Sequence, residues 1–202
     1  MGGDKGPAAV MGGMNQFLYQ NGEDGIFFRV FGDEKCLNKL LAKYPRVARN
    51  CEIIHAPNAI KGTDKVRDII RHAQDTSMYM AIKDVREGKS AAVVSAGNTG
   101  VLMSLSKLAL KTIDGISRPA ITTMLPSGGG DSRVVLLDLG ANVQCDEENL
   151  FDFAVLGSVY AEVIGKMGKP KLGILNIGEE DTKGNEKLQH LNKILQEHKE
   201  EL

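Results

Sequence analysis

Apolar residues in this chain fall in short runs, and the runs alternate with stretches of helical spacing. Pro7 suits the first turn of a helix over residues 8–19. Residues 26–31, Ile-Phe-Phe-Arg-Val-Phe, predict a strand that Gly32 and Asp33 end. A helix over 34–43 follows, with Leu37, Leu40 and Leu41 on one face. Residues 52–55 form a short strand closed by Pro57 and Asn58, and 77–85 set Met78, Ala81, Ile82 and Val85 in helical register. The run at 91–94 reads as a strand leading into a helix over 101–110 with a Leu102, Leu105, Leu108, Ala109 stripe. Residues 121–125 are a further strand. The continuous apolar run from Val134, ending in Asp138, Gly140 and Asn142, suits the centre of a parallel sheet. Residues 149–166 form a long helix apolar round much of its surface, and 172–178 another central strand.

The polar and glycine positions between these elements carry the candidate chemistry. Ser95-Ala96-Gly97-Asn98-Thr99-Gly100 joins a strand to a helix, the layout in which backbone N–H groups converge on an anion. The competing reading is a plain turn with Thr99 as the helix N-cap. Gly2, Gly3 and Asp4 form either a capped helix start or a second amide loop facing residues 95–100. Arg118, held extended by Pro119, is either a surface residue or a clamp on an anion. Asp138 and Asn142 lie at a strand's C-terminal edge, where ligands bind in open α/β sheets, although Asp138 also suits a structural role on loop amides. Glu179, Glu180 and Asp181 crowd Lys183, which is either part of a solvated acidic loop or a cation aimed into a site. Residues 127–131, with three glycines, read as a surface hairpin or loop. His55, alone at a strand end, reads as a hydrogen-bonded structural residue or a ligand.

Composition narrows the class. The chain has 202 residues, 42% apolar and 25% charged, ordinary for a soluble globular protein. A net charge of −1 gives no field that points to nucleic acid or anionic lipid. The basic run Lys61, Lys65, Arg67 and Arg71 is a solvated helix face or a docking face for an acidic partner. Cys36, Cys51 and Cys145 show no C-x-x-C spacing, which fits a reducing cytoplasm and no zinc site. No apolar run approaches the ~18 residues of a membrane span. The chain opens on loop chemistry and closes, over 196–202, on a polar helical run without a stop signal, as a domain cut at both ends would.

Five motifs in order, Met1-Gly2-Gly3-Asp4, Ser95 to Gly100, Arg118-Pro119-Ala120, Leu137 to Asn142, and Asn176 to Glu180 with Lys183-Gly184, closely resemble the PlsX phosphate acyltransferase family of bacterial phospholipid synthesis. The resemblance runs from Met1 to about Lys193. It implies a single α/β domain over 1–202, incomplete, because family members begin with a strand before the first motif and continue past Leu202. The implied fold is a three-layer αβα sandwich with a mostly parallel sheet, like isocitrate and isopropylmalate dehydrogenases and phosphotransacetylase. The implied reaction moves a long-chain acyl group from acyl carrier protein to inorganic phosphate, with no cofactor or metal.

By the same resemblance, Lys183, Asn98 and Asn142 are the catalytic candidates. Gly2, Gly3, Asp4, Ser95, Gly97, Thr99, Gly100, Arg118, Asp138 and Glu180 are the substrate-binding candidates. A homodimer, a cytoplasmic location and a peripheral membrane contact are implied as well. The rival readings are a phosphotransacetylase using coenzyme A thioesters and a non-catalytic anion-binding fragment.

Overall fold

The computed structural model describes residues 3, 5–128, 133–178, 180 and 183–198. They pack as two compact units that divide the chain between Lys111 and Thr112.

The first unit opens with α1 (Gly6–Asn21), which carries a proline in its first turn. β1 (Phe28–Gly32) and β2 (Cys51–His55) pair in parallel, with Val30 opposite Ile53. Between them lie α2 (Glu34–Leu41) and α3 (Pro45–Arg49). Asp33 caps α2 by accepting from the Cys36 N–H. Met11, Leu18, Val30, Leu37 and Val47 close one core. α4 (Val66–Ile69), α5 (Ser77–Arg86) and α6 (Thr99–Leu110) surround a second core of Ile60, Met78, Ile82, Val101 and Leu105.

Arg29 ties β1 to α5. Its guanidinium holds Asp84 through Nε at 2.8 Å and Nη2 at 3.1 Å, and reaches Glu52 through Nη1. Burial alone raises the Asp84 carboxyl, but the Arg29 hydrogen bonds, the Ser90 hydroxyl and the nearby cations together hold it below the ordinary aspartate range.

In the second unit, β3 (Thr122–Pro126) and β4 (Arg133–Leu137) pair antiparallel, with Thr122 opposite Leu137. α7 (Glu147–Val163) starts in a capping box made by Asp146 and Asn149. A Cβ on Gly157 would lie 2.9 Å from Leu137 Cδ1, so the glycine lets α7 sit directly on β4. α8 (Glu186–Glu197), capped by Asn185, packs Leu191 and Leu195 against Ala154 of α7.

The molecule is α/β, as the pattern predicts, but several elements differ from it. Among the described residues there are two separate two-stranded sheets in place of one mostly parallel sheet: β1–β2 is parallel and β3–β4 antiparallel, and β4 has exposed residues at its start instead of a doubly covered centre. Residues 91–94 are not a strand. Val93 packs on the second core while Val94 is 97% exposed, and among the described residues the run has no strand partner. Residues 172–178 likewise form no strand, and Leu175 and Ile177 stand in solvent. The charged stretch 61–71 is helical only over Val66–Ile69, because the Lys61–Asp64 turn occupies its start. The hairpin reading of 127–131 agrees with the β3–β4 pairing, although residues 129–131 lie outside those described. Part of the 196–202 run, from residue 199 onward, also lies outside them.

Candidate functional site

The glycine loop of the first unit is built around Asn98, which caps α6 in place of Thr99. Its Oδ1 accepts from the Val101 N–H at 3.1 Å. Its Nδ2 donates to the carbonyls of Gly62 at 3.0 Å and Asp64 at 3.2 Å. Both amide protons are therefore committed to the protein. Asn98 thus fixes the shape of the loop, and the backbone beside it is what remains open. Thr99 and Gly100 are the first helical residues, both exposed, and their N–H groups have no hydrogen bond among the described residues. They are the orphan donors of a helix start, on the positive end of its dipole. Ser95 Oγ accepts from the Gly97 N–H at 3.2 Å and shapes the turn before them.

Gly3 sits against this loop. Its φ is +100°, and a Cβ there would lie 2.7 Å from the Ala96 carbonyl oxygen. A side chain fits neither the backbone conformation nor the space. Gly3 is thus packed directly against Ala96 of the glycine loop. Gly2 and Asp4 lie outside the described residues. His55 stands apart in a structural role, with its Nδ1 accepting from the Glu34 N–H.

In the second unit Asp138 organises the turn after β4. Oδ1 accepts from the N–H groups of Ile121 at 3.2 Å and Ala141 at 3.1 Å. Oδ2 accepts from the Asn142 N–H at 2.9 Å and its Nδ2 at 3.0 Å. Asn142 Nδ2 also donates to the Pro119 carbonyl, so both side chains hold the 119–121 and 138–142 segments together. Arg118 donates to the Gln144 carbonyl at 3.0 Å. Sequence reasoning missed the anchor of this corner. Asp152 Oδ2 accepts from both the N–H and the hydroxyl of Ser117, and Asn149 Nδ2 donates to that hydroxyl. The available signal was two polar residues three apart within a helix apolar round much of its surface; both are buried.

Burial pushes the Cys145 thiol up and the Asp138 carboxylate pushes it further, against the pull of Arg118. It stays a thiol at neutral pH and is not a nucleophile there.

Lys183 lies in a tight turn, its N–H donating to the Glu180 carbonyl at 2.8 Å. Asn176 Nδ2 donates to the Lys183 carbonyl at 3.0 Å. Gly184, at φ +83°, leaves room for the Asn176 amide, because a Cβ there would lie 2.7 Å from its Oδ1. The Lys183 ammonium has no ion pair among the described residues. It lines a groove of about 740 Å³ together with Glu180 and the apolar Leu172, Ile174, Leu188 and Leu195. Glu179 and Asp181 lie outside the described residues.

What these parts define is an α/β protein with an open amide loop at a helix start in one unit and a lysine-lined groove in the other. The chain belongs to the fatty acid synthesis protein family, whose description matches residues 1–201. The relatives it resembles carry the name phosphate acyltransferase, as the PlsX resemblance implies. One from Wolbachia sp. subsp. Brugia malayi is 41% identical over 197 residues, covering 96% of this chain and 56% of the relative. One from Maricaulis maris is 39% identical over 195 residues, covering 96% and 55%. One from Granulibacter bethesdensis is 43% identical over 188 residues, covering 93% and 50%. The chain spans about half the length of the curated relatives it matches.

Proposed function

We propose that this chain carries residues of a phosphate acyltransferase. A long-chain acyl group passes from the thioester of acyl carrier protein to inorganic phosphate, giving acyl phosphate for phospholipid synthesis. A phosphate oxygen attacks the thioester carbonyl, the C–O bond forms, and the C–S bond breaks. The carrier leaves as a thiolate that takes up a proton. Phosphate at neutral pH is already substantially dianionic and a thioester is an activated donor, so no strong general base is needed. The demand is for positioning and for donors to the phosphate and the developing oxyanion.

The observation that carries the reading is the close approach of Gly3 to Ala96, three residues before Thr99, whose N–H group and that of Gly100 are open. That supports anion binding by backbone alone. In the second unit, the lysine unpaired among the described residues supports charge neutralisation, and the apolar lining of its groove suits an acyl chain. Asp138 and Asn142 then act by fixing loop shape. The reading includes a dehydrogenase-like fold for the longer relatives' span, a cytoplasmic homodimer and a peripheral contact with the membrane.

The test is phosphate-dependent release of free carrier thiol from a long-chain acyl-carrier protein, with hydroxylamine trapping the acyl phosphate. This chain is run beside a version extended to the relatives' length. Turnover by either supports the reaction. Turnover by neither overturns it, and preference for a coenzyme A donor moves the reading to a phosphotransacetylase.

A further inference from the structure

We propose that residues 61–71 are a docking surface for an acidic protein, and that Asn98 fixes this surface against the glycine loop. The partner's identity rests on the function proposed above: it is the carrier that brings the acyl thioester. Three observations carry the inference.

The first is how the charges are disposed. Val66 and Ile69 pack into the core beside Val101 and Leu105, which turns the rest of the segment outward. Lys61, Lys65, Arg67 and Arg71 are all exposed. Of the two carboxylates in the segment, Asp64 folds back on the Lys61 N–H at 2.8 Å, and Asp68 lies 3.5 Å from Arg67. Lys61, Lys65 and Arg71 have no ion pair among the described residues. The ledge is locally cationic on a chain whose net charge is only −1.

The second is where the ledge sits. The Asn98 amide donates to two carbonyls of the ledge, Gly62 and Asp64, while the same side chain caps α6. Val66 Cγ2 lies 3.6 Å from where a Cβ on Gly100 would be. The cations therefore lie beside the helix start whose N–H groups are open. A partner held on the ledge delivers a tethered thioester to those groups without a long search.

The third is the chemistry of recognition. Exposed lysines and arginines on a fixed backbone steer an acidic surface and set its register, and their effect is screened by salt. An interior or structural role needs none of these four side chains, because none is buried.

The experiment titrates the full chain with holo acyl carrier protein bearing its free thiol, and separately with inorganic phosphate, in low salt and in about 0.5 M salt, roughly three times physiological ionic strength. The parent chain binds the carrier and loses affinity in high salt. The Lys65→Glu/Arg71→Glu variant loses about fivefold or more in carrier affinity. Its phosphate affinity changes by a smaller factor. Lys35→Glu/Lys39→Glu, on α2, binds the carrier as the parent does. Asn98→Ser keeps a capping oxygen but lacks the amide donors. It weakens carrier binding and speeds amide exchange over 61–65.

Unchanged carrier affinity in the ledge variant overturns the proposal. So does a parent that binds phosphatidylglycerol vesicles through the ledge but not the carrier. Carrier binding that depends on the ledge, with no acyl transfer by chains of either length, supports the docking surface and overturns the reaction.

Discussion

Asp138 and Asn142 are joined twice: one carboxylate oxygen of Asp138 accepts from both the backbone N–H and the side-chain amide of Asn142, at 2.9 and 3.0 Å. The other oxygen takes two more N–H groups. Four donors converge on one carboxylate, which is how a turn of glycine and small residues keeps a single shape. Asp138→Asn replaces one acceptor oxygen with an NH₂ that faces two donors. The variant should lose roughly 2 kcal/mol in the second unit, since a hydrogen bond to a charged group is worth about 1.5–3 kcal/mol. Urea unfolding followed by near-ultraviolet signals from that unit measures it. A midpoint equal to the parent's would show that the turn does not depend on the charge.

The Arg29–Asp84 pair predicts an acid limb of stability. The folded Asp84 carboxyl titrates below the ordinary aspartate value of 3.8. A group depressed in this way stabilises the fold fully above its unfolded pKa, and the stabilisation is lost as pH falls through the folded pKa. Unfolding midpoints measured from pH 6 down to about 2 should fall for the parent below the ordinary aspartate range. Asp84→Asn should start lower, by about 3 kcal/mol for a broken buried pair, and show a shallower fall over the same window. Parallel curves would remove Asp84 from the acid response.

Gly3→Ala tests the contact beneath the proposed anion site. The new methyl meets the Ala96 carbonyl at 2.7 Å in a backbone conformation that alanine disfavours. The N-terminal loop must move away. The rise in Tm on adding phosphate should shrink, while the Tm without phosphate changes little, because Gly3 lies outside the cores. A full phosphate response in the variant would detach the N-terminal motif from anion binding.

Lys183→Met keeps the aliphatic stem and removes the ammonium. If the charge stabilises phosphate or oxyanion, kcat should fall by about 10²-fold, the scale of losing one oxyanion donor. The Asn176 hydrogen bond to the Lys183 carbonyl is untouched by this change. Retained turnover in the hydroxylamine assay would assign Lys183 to the turn alone.

Much of the candidate site was legible as loops and little of it as roles. The glycine motifs could be read because glycine and small polar residues between apolar runs have local causes. Asn98 and Asn142 could be picked out, but not the fact that each side chain is used up holding another segment. Those partners, the Gly62 and Asp64 carbonyls in one case and the Pro119 carbonyl in the other, lie 23 to 36 residues away in sequence.

The sequence by itself determined helices close to α1, α2, α5, α6 and α7, and the family. Each follows from short-range causes: 3.6-residue periodicity, a capping side chain within one turn, or a run of motifs. Only the tertiary structure decided that β3 and β4 run antiparallel, that 91–94 and 172–178 form no strand, and that Gly3 meets Ala96. A β-strand exists only with a neighbour to take its N–H and C=O groups, and a close approach only between segments brought together by the fold. An apolar run has the propensity for either outcome, and its long-range partners choose between them.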